Sequence, residues 1–227
     1  MQNIEKNLNR IHGQIAEAAT ACGRDPDSIL LLAVSKRKPA SDIRLARQLG
    51  QRHFGENYLQ EALEKMQELD DLDICWHFIG AIQSNKTRHI AESFAWAHCI
   101  DRVKIARRLS EQRPSGMNPL NVCIQVNIDH EDSKAGIDLT RVPELAAAIH
   151  RLPGIRLRGL MTIPAPRETF AEQRVAFAQL AAALADLQRQ GIDCDTLSMG
   201  MTQDMEAAIA EGSTLVRIGT AIFGERA

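Results

Sequence analysis

The sequence predicts a TIM (β/α)8 barrel with one extra helix at its N-terminus, spanning residues 1–227 as a single domain. Three observations predict it. Short apolar, β-branched runs alternate with amphipathic stretches along the chain, the pattern of a parallel sheet with helices packed outside it. Eight such units fit into 227 residues, the size of a compact barrel. No G-x-G-x-x-G follows the first strand-like run, so the runner-up, a doubly wound open sheet, lacks its nucleotide fingerprint.

Met1 to Ala21 reads as the leading helix, because Ile4, Leu8, Ile11 and Ile15 recur at spacings of three and four. Gly23 and Asp25-Pro26 end it. Ser28 to Val34 is the first strand, and Pro39 to Leu49 the helix that Gly50 closes. Arg52 to Phe54 is a short strand, followed by a helix over Tyr58 to Leu69. Ile74 to Ile79 and Trp96 to Ile100 are strands, with helices over Lys86 to Ser93 and Val103 to Gln112. A loop rich in Pro, Gly and Asn (Pro114 to Pro119) leads into the strand Asn121 to Ile128. Arg141 to His150 is helical and Arg156 to Ile163 a strand. Phe170 to Gln190 is a long Ala/Leu-rich helix. Thr196 to Met199, Met205 to Glu211 and Leu215 to Ile218 complete the alternation as strand, helix and strand.

Composition narrows the function. Hydrophobic residues make up 44% and charged residues 25%, an ordinary globular balance. A net charge of -2 and a pI near 6.4 lack the basic excess of a nucleic-acid or membrane-surface protein. Met1 to Arg10 is polar, unlike a secretory leader, and the longest apolar run, Ile29 to Val34, is too short to cross a bilayer. The cysteines at 22, 75, 99, 123 and 194 form no CxxC pair and no metal-like cluster in sequence. They read as reduced thiols, which fits a cytoplasmic protein.

In a barrel, function sits at the C-terminal ends of the strands. Lys36 directly follows the run Leu30 to Val34 and Ser35. A lysine at a barrel mouth can be desolvated, which frees a neutral, nucleophilic amine; the alternative is a solvated loop lysine like Arg37 and Lys38. Ser198-Met199-Gly200-Met201-Thr202 follows the seventh strand and Arg217-Ile218-Gly219-Thr220 ends the eighth. Glycine, serine and threonine there suit an anion, and the loops after strands seven and eight are the usual phosphate site. Two ordinary turns are the competing reading. Arg217 interrupts an apolar strand, so it either pairs inside the barrel or meets a ligand. His77 reads more simply as a hydrogen-bonded core residue, and Gln83 to Lys86 as a helix cap.

Six segments together carry a resemblance. They are Ala33 to Lys36, Phe54 to Tyr58, Trp76 to Gly80 with Gln83 to Lys86, Gly159 to Met161, Leu197 to Met201 with Asp204 to Glu206, and Val216 to Thr220 with Ile222 to Gly224. In this order and spacing they resemble the pyridoxal phosphate homeostasis proteins, the YggS/PROSC family. Ala81 stands where proline is frequent, and Thr202-Gln203 where serine and an acid are frequent.

The resemblance implies a barrel like that of alanine racemase and pyridoxal 5'-phosphate (PLP) held as a Schiff base on Lys36. It also implies a phosphate held around Ser198, Gly200, Thr202, Gly219 and Thr220. Arg217 would face the pyridine nitrogen, and Asn57 and Met161 would lie near the ring. A permanently cationic Arg217 can only donate, so it would weaken PLP as an electron sink. Racemisation further needs a second acid/base on the opposite face, and Tyr58 is the only tyrosine. The expected function is therefore intracellular PLP homeostasis by a monomeric carrier that passes cofactor to apo-enzymes. The alternatives are a PLP-dependent amino-acid racemase of weak or narrow activity and a PLP-free Schiff-base aldolase.

Overall fold

A computed structural model describes residues 3–131 and 135–225. Eight parallel strands close into a barrel in sequence order: β1 (Leu30–Val34), β2 (His53–Glu56), β3 (Cys75–Phe78), β4 (Trp96–Ile100), β5 (Leu120–Val126), β6 (Ile155–Thr162), β7 (Thr196–Ser198) and β8 (Leu215–Ile218). The seam is β8 against β1, with Leu32 opposite Arg217. The helices are α1 (Ile4–Ala21), α2 (Ala40–Gln48), α3 (Leu59–Glu68), α4 (Thr87–Ser93), α5 (Val103–Gln112), α6 (Val142–His150), α7 (Phe170–Arg189), α8 (Met205–Ala210) and α9 (Thr220–Phe223).

The leading helix has a structural task. Ile4, Leu8, Ile11 and Ile15 are buried, as their spacing requires. They pack α1 against α8 and α9, the two shortest helices of the outer ring. Asn7 Nδ2 donates to the Ile222 carbonyl (2.9 Å) and Arg24 Nη1 to that of Ile209 (2.8 Å), tying α1 and the turn after it to the last βα units. So α1 covers apolar surface that α8 and α9 are too short to cover.

Most boundaries shift by one to three residues from the sequence expectation, the fifth strand ending at Val126 rather than Ile128, and two of the shifts have a clear physical reason. Ser28 belongs to a 3-10 turn, Pro26–Ser28, which Asp25 caps by accepting from Asp27 N. The second strand lies over His53–Glu56 rather than starting at Arg52 and stopping at Phe54, because Gly55 and Glu56 pair with His77 and Phe78. Gly and Glu are poor strand formers alone, but cross-strand pairing and burial override that preference.

The barrel interior is unusually polar. His98 on β4 lies 2.9 Å from Ser198 on β7, a contact between non-neighbouring strands that is only made inside the barrel. His77, His98, Ser198 and Arg217 are all buried. Among the described residues no helix is long and apolar enough to cross a membrane.

Candidate functional site

Lys36 sits one residue beyond buried Ser35 at the end of β1 and is half-buried. The turn that carries it is pinned from below. Ser35 Oγ donates to Glu56 Oε1 (2.7 Å), and Ser35 N to the Gly55 carbonyl (3.0 Å). Lys65 of α3 donates to the Ser35 carbonyl (2.8 Å), Glu56 (2.7 Å) and Glu61 (2.6 Å). Glu61 in turn accepts from Arg37 N at 2.5 Å. Arg37 has φ of 58°, a left-handed conformation that a non-glycine residue keeps only when its surroundings hold it there. Burial raises the Glu56 carboxyl above its ordinary range, against the opposing pull of Lys65 and Ser35. Sequence reasoning missed this pedestal. Only the i,i+4 pair Glu61–Lys65 was visible in the chain.

A cavity of about 190 Å³ opens above it, lined by Val34, Lys36, Asn57, Ile79, Met161, Ile163, Met201, Thr202, Arg217, Gly219 and Thr220. A larger groove of about 480 Å³, which includes Arg167 and Gln203, shares Met201, Thr202 and Thr220 with it. The fold therefore gathers Lys36, Asn57, Met161, Thr202, Arg217, Gly219 and Thr220 around one space. Asn57 is placed by close packing: a Cβ at Gly80 would lie 2.2 Å from the Asn57 carbonyl oxygen, so only glycine fits there. The Asn57 Oδ1 is buried without a hydrogen-bond partner among the described residues.

Ser198 and Gly200 are not on that wall. Ser198 is fully buried, and its Oγ is engaged by Arg217 Nη1 (2.8 Å) and His98 Nδ1 (2.9 Å). Gly200, with φ of 97°, packs so that a Cβ would come 2.6 Å from Ala208 Cβ. Both are packed at the ends of β7 and β8 and are not among the residues that line the cavity. Arg217 reaches across the barrel, donating also to the Ser198 carbonyl (2.6 Å) and the Thr162 carbonyl (2.8 Å).

Behind Arg217 runs a chain of imidazoles. His98 Nε2 meets His77 Nδ1 at 2.9 Å, and His77 Nε2 meets His53 Nδ1 at 2.9 Å. Burial, with the Arg217 charge second, pushes His98 down to about 3, and burial pushes His77 well below the usual imidazole range. Both are neutral near pH 7, so each ring has one donor and one acceptor. Arg217 donates to Ser198, whose hydroxyl keeps one hydrogen and a second lone pair, so two tautomer sets satisfy the chain. Either Ser198 donates to His98, His98 to His77 and His77 to His53, or every donation runs the other way. His77 is thus a hydrogen-bonded core residue, as its alternation with apolar neighbours suggested. His98 went unread, because its partner lies 100 residues away.

Residues 3–227 match the family model described as alanine racemase, N-terminal domain. The chain is 58% identical over 226 residues to the pyridoxal phosphate homeostasis protein of Pseudomonas aeruginosa, covering all of this chain and 97% of that one. It is 55% identical to the protein of that name from Escherichia coli, covering all of this chain and 98% of the relative. This chain belongs to the pyridoxal phosphate homeostasis family. A solved relative, PipY of Synechococcus elongatus, described with PLP bound, superposes with a TM-score of 0.82 at 41% identity, covering 92% of this chain and all of PipY. Alanine racemase from Corynebacterium glutamicum shares the fold, with a TM-score of 0.68 at 18% identity over 96% of this chain and 62% of that one. The homeostasis family thus has the barrel of the racemases, and in this member the C-terminal ends of its strands surround Lys36.

Proposed function

We propose that this protein binds PLP as a Schiff base on Lys36 and serves cytoplasmic PLP homeostasis as a carrier that passes cofactor to apo-enzymes. One observation carries the reading: Lys36 is half-buried, on a turn held by a buried ion network, and lines a cavity together with Arg217 and Asn57. The same group is bound in PipY, a relative of 41% identity.

The residues present fit that group. Thr202, Gly219 and Thr220 offer hydroxyl and backbone donors to a phosphate where barrels commonly bind one. Met161 and Ile79 supply apolar surface for a ring, and Asn57 a polar contact at its edge. When bound, PLP supplies an aldehyde that a lysine amine captures reversibly and a ring that withdraws electrons. Arg217 stays cationic and offers only donors toward that ring, which opposes protonation of the ring nitrogen and so weakens the electron sink. Among the described lining residues, Lys36 is the only side chain able to act as a base; a racemase needs a second one.

The test is the absorption spectrum of the purified protein before and after borohydride, with peptide mapping. A yellow protein whose cofactor is fixed to Lys36, and a Lys36→Ala variant without covalent PLP, are expected. Reduction onto a different lysine would overturn the assignment. Multiple turnovers per second with L- or D-amino acids would replace the carrier by an enzyme.

A further inference from the structure

The opposite end of the barrel carries a second constellation. His53 and Cys75 are the first residues of β2 and β3 and stand directly opposite each other in register. His77, two residues after Cys75, projects from the same face of β3. One ligand atom from each lies within 4.8 Å of the others, and His77 Nε2 is close to both Cys75 Sγ and His53 Nδ1. The sequence showed no such cluster, because its members come from two strands and only the barrel register brings them together.

The spacing suits a tetrahedral ion. Bonds of about 2.3 Å to sulfur and about 2.0–2.1 Å to nitrogen give S···N edges of roughly 3.6 Å and N···N edges of roughly 3.3 Å. The Cys75 Sγ to His77 Nε2 separation is 3.6 Å. The His53 Nδ1 to His77 Nε2 separation is 2.9 Å, a hydrogen bond that opens by a few tenths of an ångström when an ion replaces its proton. His53 and Cys75 are only partly buried, which leaves a path in and a fourth position for water. The buried ligand is already oriented. Trp96 stacks on the His77 ring (centroids 5.3 Å apart, planes 8° apart), and His98 holds its other nitrogen at 2.9 Å. Such outer partners fix the ring that a metal needs.

We propose that His53, Cys75 and His77 form a zinc-class metal site at the N-terminal end of the barrel, separate from the Lys36 cavity. One thiolate and two imidazoles select zinc or cobalt over magnesium or calcium. Binding releases one proton, from the Cys75 thiol, and each imidazole keeps one N–H. To ligate through Nε2, His77 carries its hydrogen on Nδ1 and donates to His98 Nε2. His98 then donates from Nδ1 to Ser198 Oγ, and the Ser198 hydrogen turns away. The ion thus fixes the direction of the chain that ends beside Arg217, with each buried imidazole donating toward Ser198.

Cobalt titration of the full chain, freed of metal by a chelator, tests the site. One Co2+ per chain is expected, with a thiolate-to-cobalt charge-transfer band and tetrahedral visible bands that Zn2+ abolishes. Cys75→Ser should remove the charge-transfer band. His53→Gln should weaken binding at least as much as the roughly 10–100-fold that loss of an outer partner costs. A second measurement needs no variant: Zn2+ should protect Cys75 from alkylation, while exposed Cys22 reacts equally with and without it. Absence of a thiolate band, its persistence in Cys75→Ser, or equal Cys75 alkylation with and without Zn2+ overturns the proposal.

Discussion

The two ends of the barrel use the same kinds of side chain in opposite ways. At the C-terminal end, Lys36, Asn57, Thr202, Arg217 and Thr220 surround an open cavity. At the N-terminal end, polar groups satisfy one another. Arg158 grips Asp195 with two bonds (2.9 and 2.7 Å), reaches Asn121 (3.2 Å), and lies over the Trp96 ring at 4.8 Å. The first end leaves polar side chains around an open space, and the second closes most of its own into pairs. The core imidazole chain is the physical link between the two ends.

The largest expected effect breaks the pedestal of the binding end. Lys65→Met strands the fully buried Glu56 carboxyl without its cation. Removing one partner of a buried pair costs about 3–5 kcal/mol, or roughly 10 °C in melting temperature for a chain of this size. It should also loosen the Lys36 turn, read as weaker PLP binding; an unchanged melting curve would show that Glu56 is held neutral.

A smaller effect is expected at the other end. Arg158→Met removes a half-exposed ion pair and a cation–π contact, together worth about 1–2 kcal/mol. Urea unfolding should show that loss while the cofactor spectrum stays as in wild type. A changed spectrum would mean that the two ends are coupled more tightly than the geometry indicates.

The smallest effect sharpens the link. His98 is held down to about 3, whereas in the unfolded chain it titrates near the ordinary 6.5. The unfolded state therefore takes up a proton first as pH falls. Stability is complete above about pH 6.5 and declines below it, by up to about 1.4 kcal/mol per pH unit for this one residue. Urea midpoints from pH 7.5 to 5.5, with a chelator present, should show the decline, and His98→Gln should show less of it.

Much of this protein was determined by local sequence. The eight strand–helix alternations, the amphipathic face of α1 and the position of Lys36 after β1 depend on periodicity and chain order, which neighbouring residues set without outside help. Seven of the nine residues singled out as a cofactor site line one cavity for the same reason: strand ends in a barrel converge. Only the tertiary structure decided that the Ser198 hydroxyl meets Arg217 and His98, that Lys65 and Glu56 support the Lys36 turn, and that His53, Cys75, His77 and His98 meet. These contacts depend on barrel register and on pairs as far as 100 residues apart. The side-chain chemistry of one segment does not reveal which partner the closing of the sheet will bring to it.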